Sequence, residues 1–383
     1  MSVPEPRKSK TALLLTGGGA RAAYQIGVLK AVRELLARPE ENPFEILCGT
    51  SAGAINAATL AVFADDFDAA VSTLLEVWEN MRVHHVYRSS AFGVARTVVR
   101  WLASLMLVSR TSPMSLFDNR PLSEMLARTL DFARVQENID SGYLYAVAIT
   151  CSGYSSGQSV SFYQGGPEAL GWERSQRIGA AMPLRVEHLM ASAALPFIFP
   201  AVRINREYFG DGTMRQTAPL SPALHLGAER VLVISTGRPA SDIPRVHSRF
   251  YPSLAQVAGH ALNSIFLDSL YADIERVERI NRTISLIPES SRREGGLPLR
   301  HIRVLVIAPS QPLERIALRF VQELPPAVRF ALRGIGAMNR GGSNLASYLL
   351  FERGFCGALI ELGYRDTLDR RKDVTDFLRA ADA

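Results

Sequence analysis

Short apolar runs and amphipathic stretches alternate along the first 60 residues of the chain. Residues 11–16 (TALLLT) form an apolar run that ends in three glycines, which predicts a buried strand. Alanine, leucine and valine then recur at helical spacing until Pro39. A second unit repeats this order, with the apolar residues 44–48 (FEILC), a tight turn and the helix-forming residues 54–64 (AINAATLAVFA). Two strand–turn–helix units in succession predict a parallel sheet with helices on its faces.

Further apolar runs continue this pattern towards the end of the chain. Strands are predicted at residues 143–150, 160–163, 202–209, 230–235 and 301–308. No repeat at the period of a solenoid and no low-complexity linker separates these runs. The sequence therefore predicts one large α/β unit with a helical C-terminal extension.

The composition is that of an ordinary globular protein. Hydrophobic residues make up 47% of the chain and charged residues 21%, which excludes a mostly disordered chain. The 28 glycines have no period, so a collagen-like chain is excluded as well. Cys48, Cys151 and Cys356 lie far apart and form no CxxC pair. We therefore expect neither a zinc knuckle nor a disulfide framework, and a reducing compartment fits.

The chain carries a moderate excess of positive charge. There are 43 Lys and Arg against 37 Asp and Glu, which gives a net charge of +6. The excess comes from isolated arginines, so it indicates either weak attraction to anionic surfaces or simply a soluble surface. Since no nucleic-acid-binding motif accompanies the charge, we expect no nucleic-acid partner.

Residues 1–10 are polar, and they lack the apolar core and the cleavage site of a signal peptide. No run reaches the roughly 18 uncharged apolar residues that a membrane-spanning helix needs. We therefore expect a cytoplasmic protein without a transmembrane helix.

One apolar block suggests a contact with lipid. Residues 95–110 (ARTVVRWLASLMLVSR) place Trp101 inside an apolar stretch flanked by arginines. We expect this segment to lie in the headgroup plane of a membrane or to cover an acyl groove as a lid. Residues 313–333, broken by Pro325 and Pro326, are a second and weaker candidate. For both segments the alternative is a helix that buries its apolar stripe against the sheet.

The strongest local motif is GTSAG at residues 49–53, between a predicted strand and a predicted helix. A turn this sharp needs small residues around the serine, and it exposes the Ser51 hydroxyl at the carboxyl edge of the sheet. The positive end of the following helix favours negative charge at that place. The motif therefore predicts a nucleophilic serine, with a serine that merely caps the helix as the alternative.

Three glycines, Gly17, Gly18 and Gly19, follow the first predicted strand directly. Consecutive glycines can turn backbone N–H groups towards an anion. A dinucleotide site is one such use, but it needs an acidic residue at the end of the next strand, and Glu45 stands at its start. The other use is an oxyanion hole, which the N–H groups of Gly18 and Gly19 would offer to a serine one strand away.

A nucleophilic serine also needs a base. None of the seven histidines lies in a glycine-bracketed turn at a strand end, whereas Asp211 does, because it follows a predicted strand and precedes Gly212. An aspartate suits this role only where burial raises its pKa and the oxyanion is stabilised at the same time. An ordinary Asp-Gly turn is the alternative.

The order of these motifs resembles the patatin-like phospholipases, which are lipid acyl hydrolases with a Ser-Asp dyad. The resemblance includes a strand–GGGxR–helix unit, a strand–GxSxG–helix unit and a distant Asp-Gly turn. Residues 191–200 (ASAALPFIFP) and 226–234 (LGAERVLVI) are also similar to family segments. The resemblance covers about residues 11–236 and weakens through 301–365.

The resemblance implies a three-layer α/β/α sandwich with a mostly parallel central sheet. It divides the chain into a polar tail (1–10), a catalytic domain (11–236) and a C-terminal part of the same unit with a helical extension (237–383). It implies a lipid substrate at a membrane surface and no metal or organic cofactor. It says nothing of the oligomeric state.

The resemblance also assigns roles to residues of this sequence. It implies Ser51 as the nucleophile of an acyl-enzyme and Asp211 as the general base. It places the glycine loop and Arg21 at the oxyanion hole, where Arg21 would steady the loop or meet a lipid phosphate. Gly49, Gly53 and Gly212 would support the two turns. The sequence departs from the family pattern at Ala22, at Thr213 and in the segment 216–219 (QTAP).

Three alternatives stay open at this point. An esterase of the α/β-hydrolase type would need a histidine after Asp211, for which the candidates are His225, His247, His260 and His301. An acyltransferase would use the same serine but pass the acyl group to an acceptor other than water. A lipid-binding scaffold with a decayed site is the third alternative.

Overall fold

A computed structural model describes residues 9–88, 115–239, 257, 260, 268–288, 299–334 and 343–379 of the chain. The strands are β1 (Lys10–Leu15), β2 (Ile46–Thr50), β3 (Ala146–Gly153), β4 (Ser159–Gly165), β5 (Trp172–Arg174), β6 (Arg177–Ala181), β7 (Val202–Ile204), β8 (Glu207–Asp211), β9 (Ala228–Ile234) and β10 (Arg303–Ile307). The helices are α1 (Ala23–Leu35), α2 (Ala52–Val62), α3 (Phe67–Glu79), α4 (Val83–Val86), α5 (Arg120–Thr129), α6 (Ala133–Asp140), α7 (Val186–Ser192), α8 (Ser221–His225), α9 (Ser269–Ser285), α10 (Leu313–Phe320), α11 (Pro326–Gly334), α12 (Ser343–Leu349), α13 (Arg353–Asp369) and α14 (Arg371–Arg379).

One sheet holds all ten of these strands. Its main path has the order β10-β9-β1-β2-β3-β4-β6-β5, while β8 pairs with both β3 and β7. The five strands from β10 to β3 run parallel to their neighbours. The carboxyl ends of these five strands therefore meet at one edge of the sheet, which is where open α/β sheets bind ligands.

The side chains of β1 show how the sheet separates two cores. Leu13 and Leu15 point into the larger core, together with buried residues of α1, α2 and α3. Ala12 and Leu14 point into a smaller core on the opposite face, which α8 and α9 cover. Because side chains alternate along a strand, an apolar run such as β1 fits a sheet that is buried on both faces. The predicted three-layer α/β/α architecture is thus confirmed, and α10 to α14 form the predicted helical extension.

One predicted strand is wrong in detail. The run 202–209 is a hairpin of β7 and β8 instead of a single strand, and Ile204 pairs with Glu207 across a two-residue turn. Asn205 has a φ of 53°, a left-handed conformation that asparagine tolerates better than most residues. The adjacent short strands β5 and β6 were not predicted, because they carry too few alternating apolar residues to stand out.

The two segments predicted to contact lipid have different outcomes. Residues 95–110 lie outside the described residues. Residues 313–333 form α10, a short 3-10 turn and α11, and they bury their apolar stripe in the larger core. The first of these helices packs mainly on α12 and α13, whereas the alternative stated above placed the segment against the sheet. Within the described ranges, no helix has both the length and the apolar character to cross a bilayer.

The extension packs closely on the first helix of the chain. A side chain at Gly363 of α13 would lie 3.1 Å from the backbone nitrogen of Val28 and closer still to the carbonyl of Tyr24, both on α1. Gly27 of α1 would meet the backbone of α13 in the same way. The two helices therefore approach each other through glycines on both sides.

We predict opposite effects on stability for two glycine substitutions in α13. Gly363→Ala is expected to lower the free energy of unfolding by about 1–3 kcal/mol, because the added methyl group overlaps the backbone of α1. Gly357→Ala is the matched control, since nothing lies within 4 Å of a methyl group there. It is expected to raise the free energy of unfolding by about 0.5–1 kcal/mol. Urea denaturation of both variants measures the difference, and equal effects would contradict the close packing.

Candidate active site

Ser51 stands at the sharp turn between β2 and α2. Its backbone has φ 55° and ψ −128°, a combination that non-glycine residues adopt only under strain. A side chain at Gly53 would lie 2.6 Å from the carbonyl oxygen of Thr16, and one at Gly49 would lie 2.6 Å from the Cα of Ala54. The turn therefore exists in this form only because residues 49 and 53 have no side chain.

Two consecutive hydrogen bonds connect the strained turn to the neighbouring strand. The backbone N–H of Ser51 donates to the hydroxyl of Ser192 at 2.8 Å. The Ser192 hydroxyl in turn donates to the carbonyl of Thr150 at 2.7 Å. Ser192 is fully buried at the end of α7. Its hydroxyl thus links the serine turn to β3, the neighbouring strand of the sheet.

Asp211 is the last residue of β8 and begins a short 3-10 turn. It lies opposite Cys151 of β3 in the antiparallel pair, and its N–H donates to the carbonyl of Ala194 at 3.0 Å. A side chain at Gly212 would lie 2.6 Å from the carbonyl carbon of Thr150, so the turn after Asp211 presses against β3. This position brings Asp211 to the carboxyl edge of β3.

The carboxyl group of Asp211 is completely buried. One oxygen, Oδ1, accepts hydrogen bonds from the backbone N–H and the hydroxyl of Thr213, at 3.0 Å and 2.6 Å. The other oxygen, Oδ2, accepts no hydrogen bond of good geometry from the described residues. The hydroxyl of Ser51 nevertheless lies close enough to interact with this carboxyl group.

Burial raises the pKa of Asp211 to about 6, because removal from water disfavours the charged form. The hydrogen bonds from Thr213 and the interaction with Ser51 favour the charged form and lower the pKa, but they do not offset burial. Asp211 is therefore a carboxyl group that is poised to take up and release a proton near neutral pH.

The glycine loop follows β1 at the same edge of the sheet. Gly19 has a φ of 55°, and a side chain there would collide with the backbone of Tyr348. Gly18 packs against the side chain of Thr236, whose hydroxyl donates to the carbonyl of Gly17. Gly19 and Ser51 line the same pocket, so the structure brings the loop and the serine together.

Arg21 is buried and points away from this pocket towards α12. Its Nε donates to the hydroxyl of Ser347 at 2.8 Å, and its guanidinium also donates to the side chain of Asn344. The guanidinium carbon lies 4.1 Å from the centre of the Tyr348 ring. These contacts suit the first of the two roles implied for Arg21, which is to steady the loop, rather than contact with a lipid phosphate.

A second series of buried hydrogen bonds ends at Thr16, just before the glycine loop. Trp78 donates from Nε1 to Asn56 at 2.9 Å, and Asn56 donates to Gln25 at 2.8 Å. Gln25 donates to the carbonyl of Thr16 at 2.8 Å, one residue before the first loop glycine. Each of these side chains is buried, and each donates a hydrogen bond, as buried polar groups require.

An apolar pocket leads away from Ser51. Its walls come from α2, α3 and α5, and from Tyr348 and Phe351. Trp78 is a wall of the pocket as well as the end of the polar chain. A pocket with this apolar lining suits a hydrocarbon chain.

None of the described histidines lines this pocket. His225 stacks on Trp172 at 5.0 Å, on the opposite face of the sheet. His260 and His301 are exposed, while His247 lies outside the described residues. Among the described residues, Asp211 is thus the titratable group that the structure places beside Ser51.

Several residues that build the site were not assigned a role from the sequence. Ser192, Thr213 and Thr236 hold the serine turn, the aspartate and the glycine loop. Gln216, noted above as a departure from the family pattern, accepts a hydrogen bond from the hydroxyl of Thr50 at 3.1 Å and so ties the loop after Asp211 to β2. Their role comes from contacts between distant parts of the chain.

Comparison with known proteins gives a family and several relatives. The family model for patatin-like phospholipases matches residues 13–224. The cGAMP-activated phospholipase of Pseudomonas aeruginosa is 28% identical over 213 residues, which are 56% of this chain and 55% of that protein. The cUMP-AMP-activated phospholipase of Escherichia coli is 46% identical over 50 residues, 13% of this chain and 16% of that protein. The chain thus matches about half the length of the first relative and less of the second.

Solved structures show weaker similarity over most of the chain. Human GIVD cytosolic phospholipase A2 has 11% identity and a TM-score of 0.46, with 98% of this chain and 60% of that chain covered. VipD from Legionella pneumophila has 12% identity and a TM-score of 0.31, with 90% and 67% covered.

We predict that Asp211→Asn stabilises the protein at neutral pH and above. The folded-state pKa of about 6 lies above the value near 3.9 of a free aspartate, so the charged form is less stable in the fold. The contribution of Asp211 to stability is therefore complete below about pH 4 and is lost as the pH rises through 6. The asparagine keeps the oxygen that accepts from Thr213 and carries no charge.

Urea denaturation of both proteins across this range measures the effect. The variant is expected to gain up to about 3 kcal/mol over the wild type near pH 8, and the difference is expected to vanish near pH 4. A difference that is independent of pH would contradict the raised pKa of Asp211.

Proposed function

The chain belongs to the patatin-like phospholipase family, and we propose that it hydrolyses carboxylic esters of lipids through an acyl-enzyme on Ser51, with Asp211 as the general base. The observation that carries the proposal is a strained serine that lines an apolar pocket and interacts with a buried aspartate of raised pKa. The glycine loop lines the same pocket through Gly19.

In the first step the oxygen of Ser51 attacks the carbonyl carbon of the ester, and its proton passes to the carboxylate of Asp211. A pKa of about 6 brings the basicity of Asp211 closer to that of the alkoxide that it helps to form. The carbonyl oxygen becomes an oxyanion, which backbone N–H groups of the glycine loop and the start of α2 stabilise.

In the second step the carbon–oxygen bond to the alcohol breaks, and the protonated Asp211 gives its proton to the leaving alcohol. Asp211 then takes a proton from a water molecule, which attacks the acyl-enzyme. Collapse of the second oxyanion releases the fatty acid and returns the proton to Ser51. The apolar pocket binds the acyl chain during both steps.

We predict that Ser51→Ala and Asp211→Asn each lower kcat for ester hydrolysis by about a thousandfold or more, since each removes one partner of the proton transfer. Purified proteins are assayed on a chromogenic short-chain ester and on phospholipid vesicles. Circular dichroism verifies that both variants are folded. Because one relative is named a cGAMP-activated phospholipase, each assay is run with and without cGAMP.

The control variants are His225→Ala, His247→Ala, His260→Ala and His301→Ala, each expected to retain activity. Loss of activity in one of them, together with an active Asp211→Asn, would favour an esterase that uses histidine. Products from added lysophospholipid or alcohol would instead favour an acyltransferase. Vesicle binding by an inert wild type would favour the lipid-binding scaffold.

We also predict that kcat/KM of the wild type falls about tenfold per pH unit below the pKa of Asp211, near pH 6. The reason is that only the carboxylate form of Asp211 can accept the serine proton. A pH–rate profile with a water-soluble ester, between about pH 4.5 and pH 8, measures this dependence. A profile that stays flat through pH 6 would count against Asp211 as the base.

A further inference from the structure

Three turns project from one edge of the sheet. They join β3 to β4 (154–158), β5 to β6 (175–176) and β7 to β8 (205–206). β4 runs antiparallel to β3, and β6 runs parallel to β4, so both strands begin at the carboxyl end of β3. β8 also runs antiparallel to β3, and it begins beyond the end of that strand. The three turns therefore lie at the edge of the sheet that holds Ser51 and Asp211.

Hydrogen bonds connect the hairpin of β7 and β8 to the turn after β3. The backbone N–H of Tyr154 donates to the carbonyl of Tyr208 at 3.0 Å. The carboxylate of Glu207 accepts from the backbone N–H groups of Ser155 and Ser156, at 2.8 Å and 2.6 Å. These bonds hold the two turns in a fixed position relative to each other.

The third turn and the segment after Asp211 join the same surface. The backbone N–H of Ser159 donates to the carbonyl of Gln176 at 2.9 Å, which places the turn between β5 and β6 beside the turn between β3 and β4. A side chain at Gly157 would lie 3.9 Å from Nη2 of Arg215. The guanidinium of Arg215 therefore reaches the turn that follows β3.

Two tyrosines lie on the outer face of the β7–β8 hairpin. Phe209 points into the larger core, so its neighbour Tyr208 points the other way. A side chain at Gly210 would lie 2.6 Å from the hydroxyl oxygen of Tyr154, so Tyr154 covers β8 on the same face as Tyr208. Tyr208 is 54% exposed and Tyr154 is 50% exposed. Each tyrosine thus presents an apolar ring with a polar tip to the solvent.

Exposed arginines surround these tyrosines. Arg203 lies directly opposite Tyr208 in the hairpin, and Arg206 belongs to its turn. Among the described residues, none of these exposed arginines forms an ion pair, whereas the exposed Arg120 and Arg185 do. We call the following residues the turn surface: Tyr154, Arg174, Arg203, Arg206, Tyr208 and Arg215.

The charge of the turn surface is unbalanced. The acidic residues that are at least half-exposed on the same hairpins are Glu173 and Glu207, and the carboxylate of Glu207 already accepts two backbone N–H groups. Positive charge therefore prevails, and it attracts an anionic partner. The arginines are isolated from one another along the sequence, so only the fold brings them together.

We propose that the turn surface docks the protein on an anionic lipid bilayer. The arginines contact lipid phosphates, for which the planar guanidinium is suited, and the tyrosine rings enter the interface between headgroups and acyl chains. Any polyanion would satisfy the charge, but the two half-exposed tyrosine rings favour a bilayer, whose interface accommodates amphipathic rings.

Docking through this edge brings lipid to the end of the sheet where Ser51 and Asp211 lie. As a statement about how substrate reaches the site, the proposal rests on the proposed ester hydrolysis. Its tests therefore measure binding, and they use the Ser51→Ala variant so that no lipid is consumed.

The first test removes charge from the turn surface. Arg203→Gln with Arg206→Gln is expected to lower the partition onto vesicles of phosphatidylcholine and phosphatidylserine, in a ratio of about 7:3, by about thirtyfold. The reason is that two charges attracted to the anionic bilayer are lost. Sedimentation with the vesicles measures the partition, and circular dichroism verifies that the variant is folded.

The matched control removes two charges at the opposite edge of the sheet. Arg279 and Arg282 are exposed on α9. Asn281, between them, donates to the carbonyl of Ile302 just before β10 begins, so this end of α9 lies at the amino edge. Arg279→Gln with Arg282→Gln is expected to change the partition by less than about threefold, because these charges stay away from the docked bilayer.

The second test reports contact with the bilayer itself. Tyr208→Trp is expected to add fluorescence that brominated phosphatidylcholine in the vesicles quenches, because the ring enters the interface. Tyr143→Trp is the matched control, since Tyr143 is also 54% exposed but precedes β3 at the amino edge. Its added fluorescence is expected to remain unquenched.

Equal effects of the two double variants on the partition, or equal quenching of the two tryptophans, would overturn the proposal. A loss of binding to a DNA duplex in Arg203→Gln with Arg206→Gln, with vesicle binding unchanged, would assign the turn surface to nucleic acid instead. If the wild type is inert on every ester but the expected pattern of vesicle binding is found, the proposed hydrolysis fails and the docking stands. If the protein does not bind the vesicles, the docking is refuted whether or not the wild type is active.

Discussion

The structure around the serine depends on the close approach of α2 to the ends of β1 and β2. Gly49 and Gly53 make this approach sterically feasible, because any side chain at either position would overlap backbone atoms. The approach accompanies the strained, positive-φ conformation of Ser51 and places it beside the glycine loop after β1. It also starts the floor of the apolar pocket at the serine itself. Strain at one residue is thus compensated by packing across two strands and a helix.

At Asp211, too, a locally unfavourable arrangement gives a side chain the property that the proposed reaction needs. A buried carboxylate is unfavourable when one oxygen has no well-formed hydrogen bond from a described residue, and the fold tolerates it because Thr213 donates to the other oxygen. The resulting rise in pKa is what suits the group to proton exchange near neutrality. Polar chains through Ser192 and through Trp78, Asn56 and Gln25 fix the neighbouring turns. The site is therefore held by buried hydrogen bonds more than by charge pairs.

Local patterns in the sequence predicted the parallel sheet and the two turns that follow β1 and β2, because glycine spacing and apolar runs can be recognised within a few consecutive residues. They could not predict the support of these turns. Ser192 lies 141 residues from the serine whose N–H it accepts, and Thr236 lies 219 residues from Gly17. The hairpin at Asn205 was missed because neither glycine nor proline marks its two-residue turn.

The contact of Arg21 with α12 joins parts of the chain that are made at very different times. Arg21 and Ser347 are 326 residues apart, and Gly19 packs against the backbone of Tyr348. A chain still under synthesis contains the residues of β1, α1 and the serine turn long before these partners leave the ribosome. Until then the glycine loop lacks the surface against which it is packed in the finished protein. The order of synthesis thus delays completion of the site until almost the whole described chain has been made.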